Sequence, residues 1–343
     1  MKNEKKIKCV VWDLDGTVWK GVLMYGDALV PKHGIREVLE ELDRRGILQS
    51  VASKNDHDEA FAKLKEFGFD EFFLYPRINW NSKATSIREI ADALNIGVDT
   101  FAFVDDSKSE REEVSFHLPE VLVIDAARYL EIPDMDRLKP VFVTEDAVNR
   151  RTMYRDEIIR RKAETGFTGS SEAFLRSLSM ELKIAPVSEQ DLQRVEELTL
   201  RTSQMNATGY TYSYEELRAL INSGNHIFLV AELSDRFGSY GKIGLVLLEK
   251  TDDSYIIKLL IMSCRVMSKG IGSTLLVFLI KKAAANRKKL LAEFLETDRN
   301  RAMYITYKFM GFSETERDGD RALLMYSSDA EREFPDYIKV LSE

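Results

Sequence analysis

From Lys8 to about Asp125, short apolar runs suited to β-strands alternate with stretches of helical periodicity, and several runs end on a residue with chemistry to offer. The runs are "KCVVWDLD", "ILQSVAS", "FFLYP", "FAFVDD" and "VLVID". Helices are expected from Ile35 to Arg45, stopped by Gly46, from Glu59 to Phe67 before Gly68, and from Lys83 to Leu94. Such alternation predicts a parallel α/β sheet covered on both faces, with ligands at the carboxyl ends of the strands. Asp13, Ser53 and Asp105 each stand at such an end.

The second half follows a different pattern. Helices are expected from Glu189 to Arg201 and from Tyr214 to Asn222, followed by three β-type runs, "HIFLVAEL", "KIGLVLLEK" and "SYIIKLLIMS". Consecutive strands without intervening helices imply antiparallel pairing, so this half reads as α+β. A helix opens at "KGIGSTLLVFLIKKAA", a strand "KKLLAEFLE" follows, and a helix "NRAMYITYKF" ends at Gly311. Between the halves, "TEDAVNRRTMYRDEIIRR" places charges at helical spacing and reads as a solvated connecting helix. The expected organisation is a parallel-sheet domain over 1–143, a charged helical linker over 144–180 and an α+β domain over 181–343.

Charge and cysteine content narrow the partners. Acidic residues outnumber basic ones, 57 to 49, which argues against a general nucleic-acid or anionic-membrane binder. Two cysteines and four histidines provide neither a disulfide framework nor a zinc cage, and a reducing cytoplasm is the expected location. The apolar run near the N-terminus is broken by Asp13, so it reads as neither a signal peptide nor a membrane span.

Asp13 and Asp15 stand two residues apart at a strand end and are followed by Gly16 and Thr17. Gly16 permits a turn that aims both carboxylates at one site, and their repulsion is costly unless a cation or a proton intervenes. An Asp-Gly-Thr triplet also caps helices, so alone it decides nothing. Ser53 adds a hydroxyl, Lys83 adds an ammonium at a helix start, and Asp105 with Asp106 adds a second acidic pair. Carboxylates for Mg²⁺, with a hydroxyl and a lysine for phosphate oxygens, make up a phosphoryl-transfer kit.

In this order, Asp13-Leu14-Asp15-Gly16-Thr17, Ser53, Lys83 and Val104-Asp105-Asp106 resemble the four motifs of the haloacid dehalogenase (HAD) superfamily of phosphatases. The resemblance implies a HAD-like, Rossmann-like sheet in which Asp13 is the nucleophile and Asp15 the general acid/base. Thr17, Ser53 and Lys83 would bind substrate, and Asp13, Asp105 and the backbone carbonyl of Asp15 would hold Mg²⁺. The 35 residues of 18–52 and the 29 of 54–82 leave no room for a large cap, so the site should be open to a bulky substrate.

In the second half, "SCRVMSKGIGSTLL" and "NRAMYITYKFMGF", with Gly270, Gly272, Asn300, Tyr307, Gly311 and Phe312, resemble the GCN5-related acyltransferase (GNAT) fold. That resemblance implies cofactor contacts at Gly270 and Gly272 and a substrate contact at Asn300, although Met267 replaces the Gln or Arg usual in the family. Arg265 and a following helix N-terminus could activate Cys264, and Arg265 is placed with the substrate; Cys9 reads as core.

Over nearly its whole length the chain resembles the FkbH-like family of polyketide biosynthesis, in which a capless HAD phosphatase is followed by a GNAT-like domain. The resemblance implies loading of a glyceryl unit from D-1,3-bisphosphoglycerate, a phosphorylated C3 substrate, onto the phosphopantetheine thiol of an acyl carrier protein, with removal of the phosphate. Cys264 or the carrier thiol would attack the acyl phosphate, and Asp13 would dephosphorylate the 3-position. Gln204, Asn206 and Asp235-Arg236-Phe237-Gly238 match stretches associated with the family, the last reading equally well as a hairpin turn. His226 reads as a strand-edge residue, and "NRRTMYRDEIIRRK" is the candidate basic surface for an acidic carrier. The alternative function is a Mg²⁺-dependent phosphatase of a small ester or phosphoprotein, with the second domain serving for docking.

Overall fold

The computed structural model describes residues 5–202, 205–328 and 331–342, with the side chain of Cys264 outside that description. The chain divides into two compact units, Met1–Glu157 and Ile158–Glu343.

The first unit begins with β1 (Cys9–Trp12), a short hairpin of β2 (Trp19–Lys20) and β3 (Val30–Pro31), and α1 (Ile35–Arg44). Then come β4 (Leu48–Ser53), α2 (His57–Glu66), β5 (Arg77–Ile78) and α3 (Lys83–Leu94). Next are β6 (Phe101–Asp105), α4 (Lys108–His117) and β7 (Leu122–Asp125). The main sheet has the order β5-β4-β1-β6-β7 and every pairing in it is parallel. Residues 9–12 are buried throughout, as a strand covered on both faces requires. β4 flanks β1 on one side and β6 on the other, so the strand order reverses at β1 and opens a crevice beyond its carboxyl end, just where Asp13 stands.

One expected strand is displaced. In "FFLYP" only Phe73 bridges the sheet, to Gln49, and the ladder is made instead by Arg77–Ile78. Tyr75 has a positive φ of 49° and Pro76 offers no N–H, so the chain turns there and cannot pair.

The charged stretch after the sheet forms α5 (Glu145–Val148) and α6 (Arg150–Thr165), and it is not solvated all round. Arg150 is buried and donates to Gly46 O at 2.8 Å, while Arg151 donates to Asp43 Oδ1 at 2.8 Å and Glu71 O at 2.7 Å. Arg160, 2% exposed, makes a two-pronged contact with Asp235 at 2.6 and 3.0 Å and lies 3.8 Å from the Tyr240 ring centroid. Tyr240 donates to the same carboxylate at 2.9 Å. These arginines are spent on the protein's own acids and carbonyls, which corrects the solvated-linker reading, while Arg161 and Lys162 of the same stretch stay exposed. Arg160→Lys keeps the charge but loses the planar fork and the stacking, and is expected to cost about 2 kcal/mol. Denaturant unfolding checks this, and an unchanged midpoint would remove the pair from the account.

The second unit continues with α7 (Ser171–Ser177), β8 (Met180–Pro186), α8 (Leu192–Arg201) and α9 (Tyr214–Ile221). Then come β9 (His226–Asp235), β10 (Gly238–Lys250), β11 (Ser254–Met262), α10 (Ile271–Ala285) and β12 (Lys289–Leu295). It closes with α11 (Arg301–Phe309), β13 (Phe312–Asp318), β14 (Arg321–Tyr326) and β15 (Ile338–Ser342). The eight-stranded sheet has the order β13-β14-β12-β11-β10-β9-β8-β15. The β9, β10 and β11 run is antiparallel, and β11 pairs in parallel with β12. Alternation along β11 sends Leu259 and Ile261 to a core with Leu192 and Leu217, and Leu260 and Met262 to a core with Leu275 and Met303. The α/β unit followed by an α+β unit is the fold class read from the sequence. Among the described residues, no helix is long and apolar enough to cross a membrane.

Candidate functional site

At the carboxyl edge of the first sheet lies a cavity of about 300 Å³ lined by Asp13, Asp15, Ser53, Asn55, Lys83 and Asp105, among others. Asp13 follows β1 directly and its N–H donates to Val104 O at 2.9 Å, so the sheet ladder fixes its backbone. Asp13, Lys83 and Asp105 are 6%, 3% and 1% exposed. Lys83 is the first residue of α3, behind the Ser82 cap, and its ammonium donates to Asp13 Oδ1 and, at 2.7 Å, to Ala52 O. It lies 3.4 Å from Asp105 Oδ2, which makes no hydrogen bond.

Asp13, Asp105 and Asp106 each place a carboxylate oxygen within 4.8 Å of the others. Gly16, at a φ of +65°, makes this possible: a Cβ there would meet Asp106 Oδ2 at 2.2 Å. Thr17, expected to touch substrate, is fully buried, and its Oγ1 accepts from Asp106 N at 3.1 Å. It secures the acidic loop instead. The carboxylate of Asp15 is engaged elsewhere, Oδ1 accepting from Trp19 Nε1 at 2.7 Å and Leu23 N at 3.2 Å, and Oδ2 from Asn55 Nδ2 at 3.1 Å. The third carboxylate of the cluster is therefore that of Asp106, which the expected metal set omitted. Asn55 also donates to Ser53 Oγ at 3.1 Å. Sequence reasoning passed over Trp19 and Asn55, whose only signal is their spacing from Asp15 and Ser53.

Burial, reinforced by the charge of Asp13, pushes the Asp105 carboxyl up to about 7. Burial also raises Asp13, with Lys83 working the other way. Burial acts to lower Lys83, but Asp13 and Asp105 outweigh it, so the ammonium stays charged. A buried carboxylate oxygen without a donor, within a set of three hard oxygen ligands, suits a divalent cation of the Mg²⁺ kind.

The sign of the pH effect follows. Because the folded-state value of Asp105 lies above the usual carboxylate range, its contribution to stability is present at low pH and lost as pH rises through about 7. A cation must displace that proton. Mg²⁺ is therefore expected to bind more tightly at about pH 8 than at about pH 6, releasing protons on binding. Calorimetric titration in two buffers of different ionisation enthalpy checks this, and pH-independent affinity would contradict it.

In the second unit the expected contacts are largely structural. The parallel pairing of β11 and β12 ends at Ile257 and Ala292. Beyond it, the chain's own Met205–Ala207 segment pairs with both strands. Ala207 N donates to Leu260 O at 3.1 Å, Met262 N to Met205 O at 2.9 Å and Leu295 N to Ala207 O at 3.1 Å. Asn300 is fully buried and its amide donates to Asn206 O, Ala207 O and Leu295 O, so it secures that segment and offers nothing to a substrate. Asn206 Oδ1 accepts from Thr208 N and Gly209 N, closing a turn.

Gly270, at a φ of +76°, caps α10 where a Cβ would meet the Tyr337 hydroxyl at 2.6 Å, and Gly272 packs on Met262. Arg265 is half-buried and donates to Ser263 Oγ at 3.3 Å. Cys264 begins a short 3₁₀ turn, and its side chain, like all of Gln204, lies outside the described residues. Asp235 accepts from Phe237 N and Gly238 N, so its stretch is the β9–β10 hairpin turn anchoring Arg160. His226 meets Ser223 Oγ at 2.8 Å. Cys9 is buried in β1, and burial pushes its thiol up.

Fold and site together define a class: an open parallel α/β sheet whose carboxyl edge holds three clustered carboxylates and a buried lysine. No protein-family model and no curated protein matches the chain. Among solved structures it is similar to the N-terminal part of protein BF1531 from Bacteroides fragilis, described as containing a phosphatase domain complexed with Mg, at 33% identity and a TM-score of 0.33. That match covers 38% of this chain and 39% of the other, well under half of its length. It is also similar to the ribosomal-protein-S18-alanine N-acetyltransferase from Escherichia coli, at 15% identity over 45% of this chain and 99% of that one, TM-score 0.33. PaiA N-acetyltransferase from Thermoplasma acidophilum, solved with coenzyme A, is similar at 19% identity over 43% of this chain and 99% of that one, TM-score 0.35.

Proposed function

We propose that the first unit is a Mg²⁺-dependent phosphatase working through Asp13. The observation that carries this reading is the cluster of Asp13, Asp105 and Asp106 beside the buried ammonium of Lys83, at the switch point of a parallel sheet. Lys83 and Ser53 hold the phosphate, and Lys83 keeps one Asp13 oxygen engaged while the other attacks phosphorus. The P–O bond to the leaving group breaks as Asp15 protonates the departing oxygen, leaving an aspartyl phosphate. Asp15 then takes a proton from the water that hydrolyses it, so the enzyme is restored. The carboxylates of Asp13, Asp105 and Asp106 would hold Mg²⁺, which when bound would supply positive charge against the phosphoryl oxygens.

The substrate we propose is a phosphorylated glyceryl unit, loaded from D-1,3-bisphosphoglycerate onto the phosphopantetheine arm of an acyl carrier protein. The order and spacing of motifs over nearly the whole chain support this, as does a cavity of about 300 Å³ at the sheet edge lined by the candidate phosphate-holding residues. A second reading, a phosphatase whose second unit is not catalytic, is favoured by the Met205–Ala207 segment that pairs with both β11 and β12. The test is to incubate the protein with Mg²⁺, 1,3-bisphosphoglycerate and a phosphopantetheine-bearing carrier, and to read intact masses. A glyceryl increment on the carrier, replaced by phosphoglyceryl with Asp13→Asn, supports the first reading. Phosphate release without any increment on the carrier supports the second.

A further inference from the structure

The surroundings of Asp15 are more specific than a proton donor alone needs. Oδ1 accepts two N–H groups, from the Trp19 indole at 2.7 Å and the Leu23 backbone at 3.2 Å, so a proton on that oxygen would face two other protons. Among the described residues Oδ2 accepts only from Asn55, at 3.1 Å, and keeps a lone pair. Asn55 is 3% exposed, lines the cavity, and uses its amide nitrogen to hold Ser53 Oγ as well. A single buried amide thus ties the phosphate-holding hydroxyl to the proton-donating carboxyl. Trp19, fully buried at the start of the β2–β3 hairpin, fixes the rotation of the same carboxyl from the other side.

Resting on the phosphatase reading, we infer that Asn55 and Trp19 are positioning residues that hold Asp15 with Oδ2 as its proton-bearing oxygen, suiting the site to esters with poor, alkoxide leaving groups. An alkoxide must receive a proton as it departs, whereas a nitrophenolate leaves without one. Misplacing the donor therefore harms the alkyl ester far more than the aryl one.

The experiment measures kcat/KM of the full-length protein with Mg²⁺ for glycerol phosphate and for 4-nitrophenyl phosphate, using Asn55→Ala and Trp19→Phe, with Asp15→Asn as the benchmark. kcat/KM stops at the first irreversible step, so water activation later in the cycle does not enter. Both variants are expected to lose about a hundredfold on the alkyl ester and less than about tenfold on the aryl ester, in the same direction as Asp15→Asn. If Asn55→Ala does not fold, Asn55→Ser carries the test, keeping the position polar while losing reach to Asp15. Equal losses on the two esters overturn this inference alone. A wild-type protein that cleaves neither ester overturns the phosphatase reading and the inference with it.

Discussion

Asp13→Asn is expected to abolish phosphatase turnover, lowering kcat by at least about ten-thousandfold while leaving the protein folded. The substitution preserves shape and replaces the carboxylate oxygen proposed as the nucleophile with an amide, which cannot take its place. The backbone N–H of residue 13 keeps its bond to Val104 O, and Lys83 keeps Ala52 O and its neighbour Asp105. Burial already works against a charge at position 13, so a neutral side chain is tolerated there. Phosphate release and circular dichroism measured on one preparation decide the matter. Activity within tenfold of wild type in a folded variant would remove Asp13 as the nucleophile.

Lys83→Met should have the largest effect on stability. It removes the cation that faces Asp13 and Asp105 in a site where all three side chains are buried, leaving carboxylates whose repulsion neither water nor a counter-charge relieves. Breaking a buried ion pair from one side costs about 3–5 kcal/mol, and that loss is expected in the metal-free protein. Mg²⁺ should recover part of it, because a cation bound only by the folded state stabilises by mass action. Catalysis should fall by about a hundredfold or more even with Mg²⁺ present, because in the proposed function Lys83 offsets the charge that develops on the phosphoryl oxygens. Denaturant unfolding with chelator and with Mg²⁺ separates the effects. Equal midpoints for Lys83→Met and wild type under chelation would show that the lysine is not what makes the cluster tolerable.

Much of the first unit is legible in the sequence because a sheet covered on both faces requires short, mostly apolar strands, and these end visibly at Asp13, Ser53 and Asp105. The helix from Lys83 to Leu94 is bounded as read, since Ser82 caps it and Asn95 adopts the left-handed conformation that stops it. Which carboxylates converge was not legible. Asp106 joins Asp13 and Asp105 because the turn at Gly16 lets it approach, while Trp19 and Asn55 hold the Asp15 carboxylate by hydrogen bonds of its own.

Charge patterning misled for the helix over Arg150–Thr165. Arg150 and Arg160 look like surface residues in any window of sequence, and only partners far along the chain, Gly46 and Asp235, bury them. Strand β13, "FSETERD", is mostly exposed and polar, so it carries no apolar periodicity to read. The structural role of Asn300 was not legible either. Its amide holds the Met205–Ala207 segment, a contact between residues nearly a hundred positions apart.

The most direct measurement of the central claim is chemical trapping of the phosphorylated enzyme. The protein, turning over a phosphate ester with Mg²⁺, is quenched and reduced with borohydride, which converts an aspartyl phosphate to homoserine, and the digest is mapped by mass spectrometry. Homoserine is expected at position 13, dependent on both substrate and Mg²⁺. Continued phosphate release with Asp13 unmodified and another residue reduced in its place would contradict it.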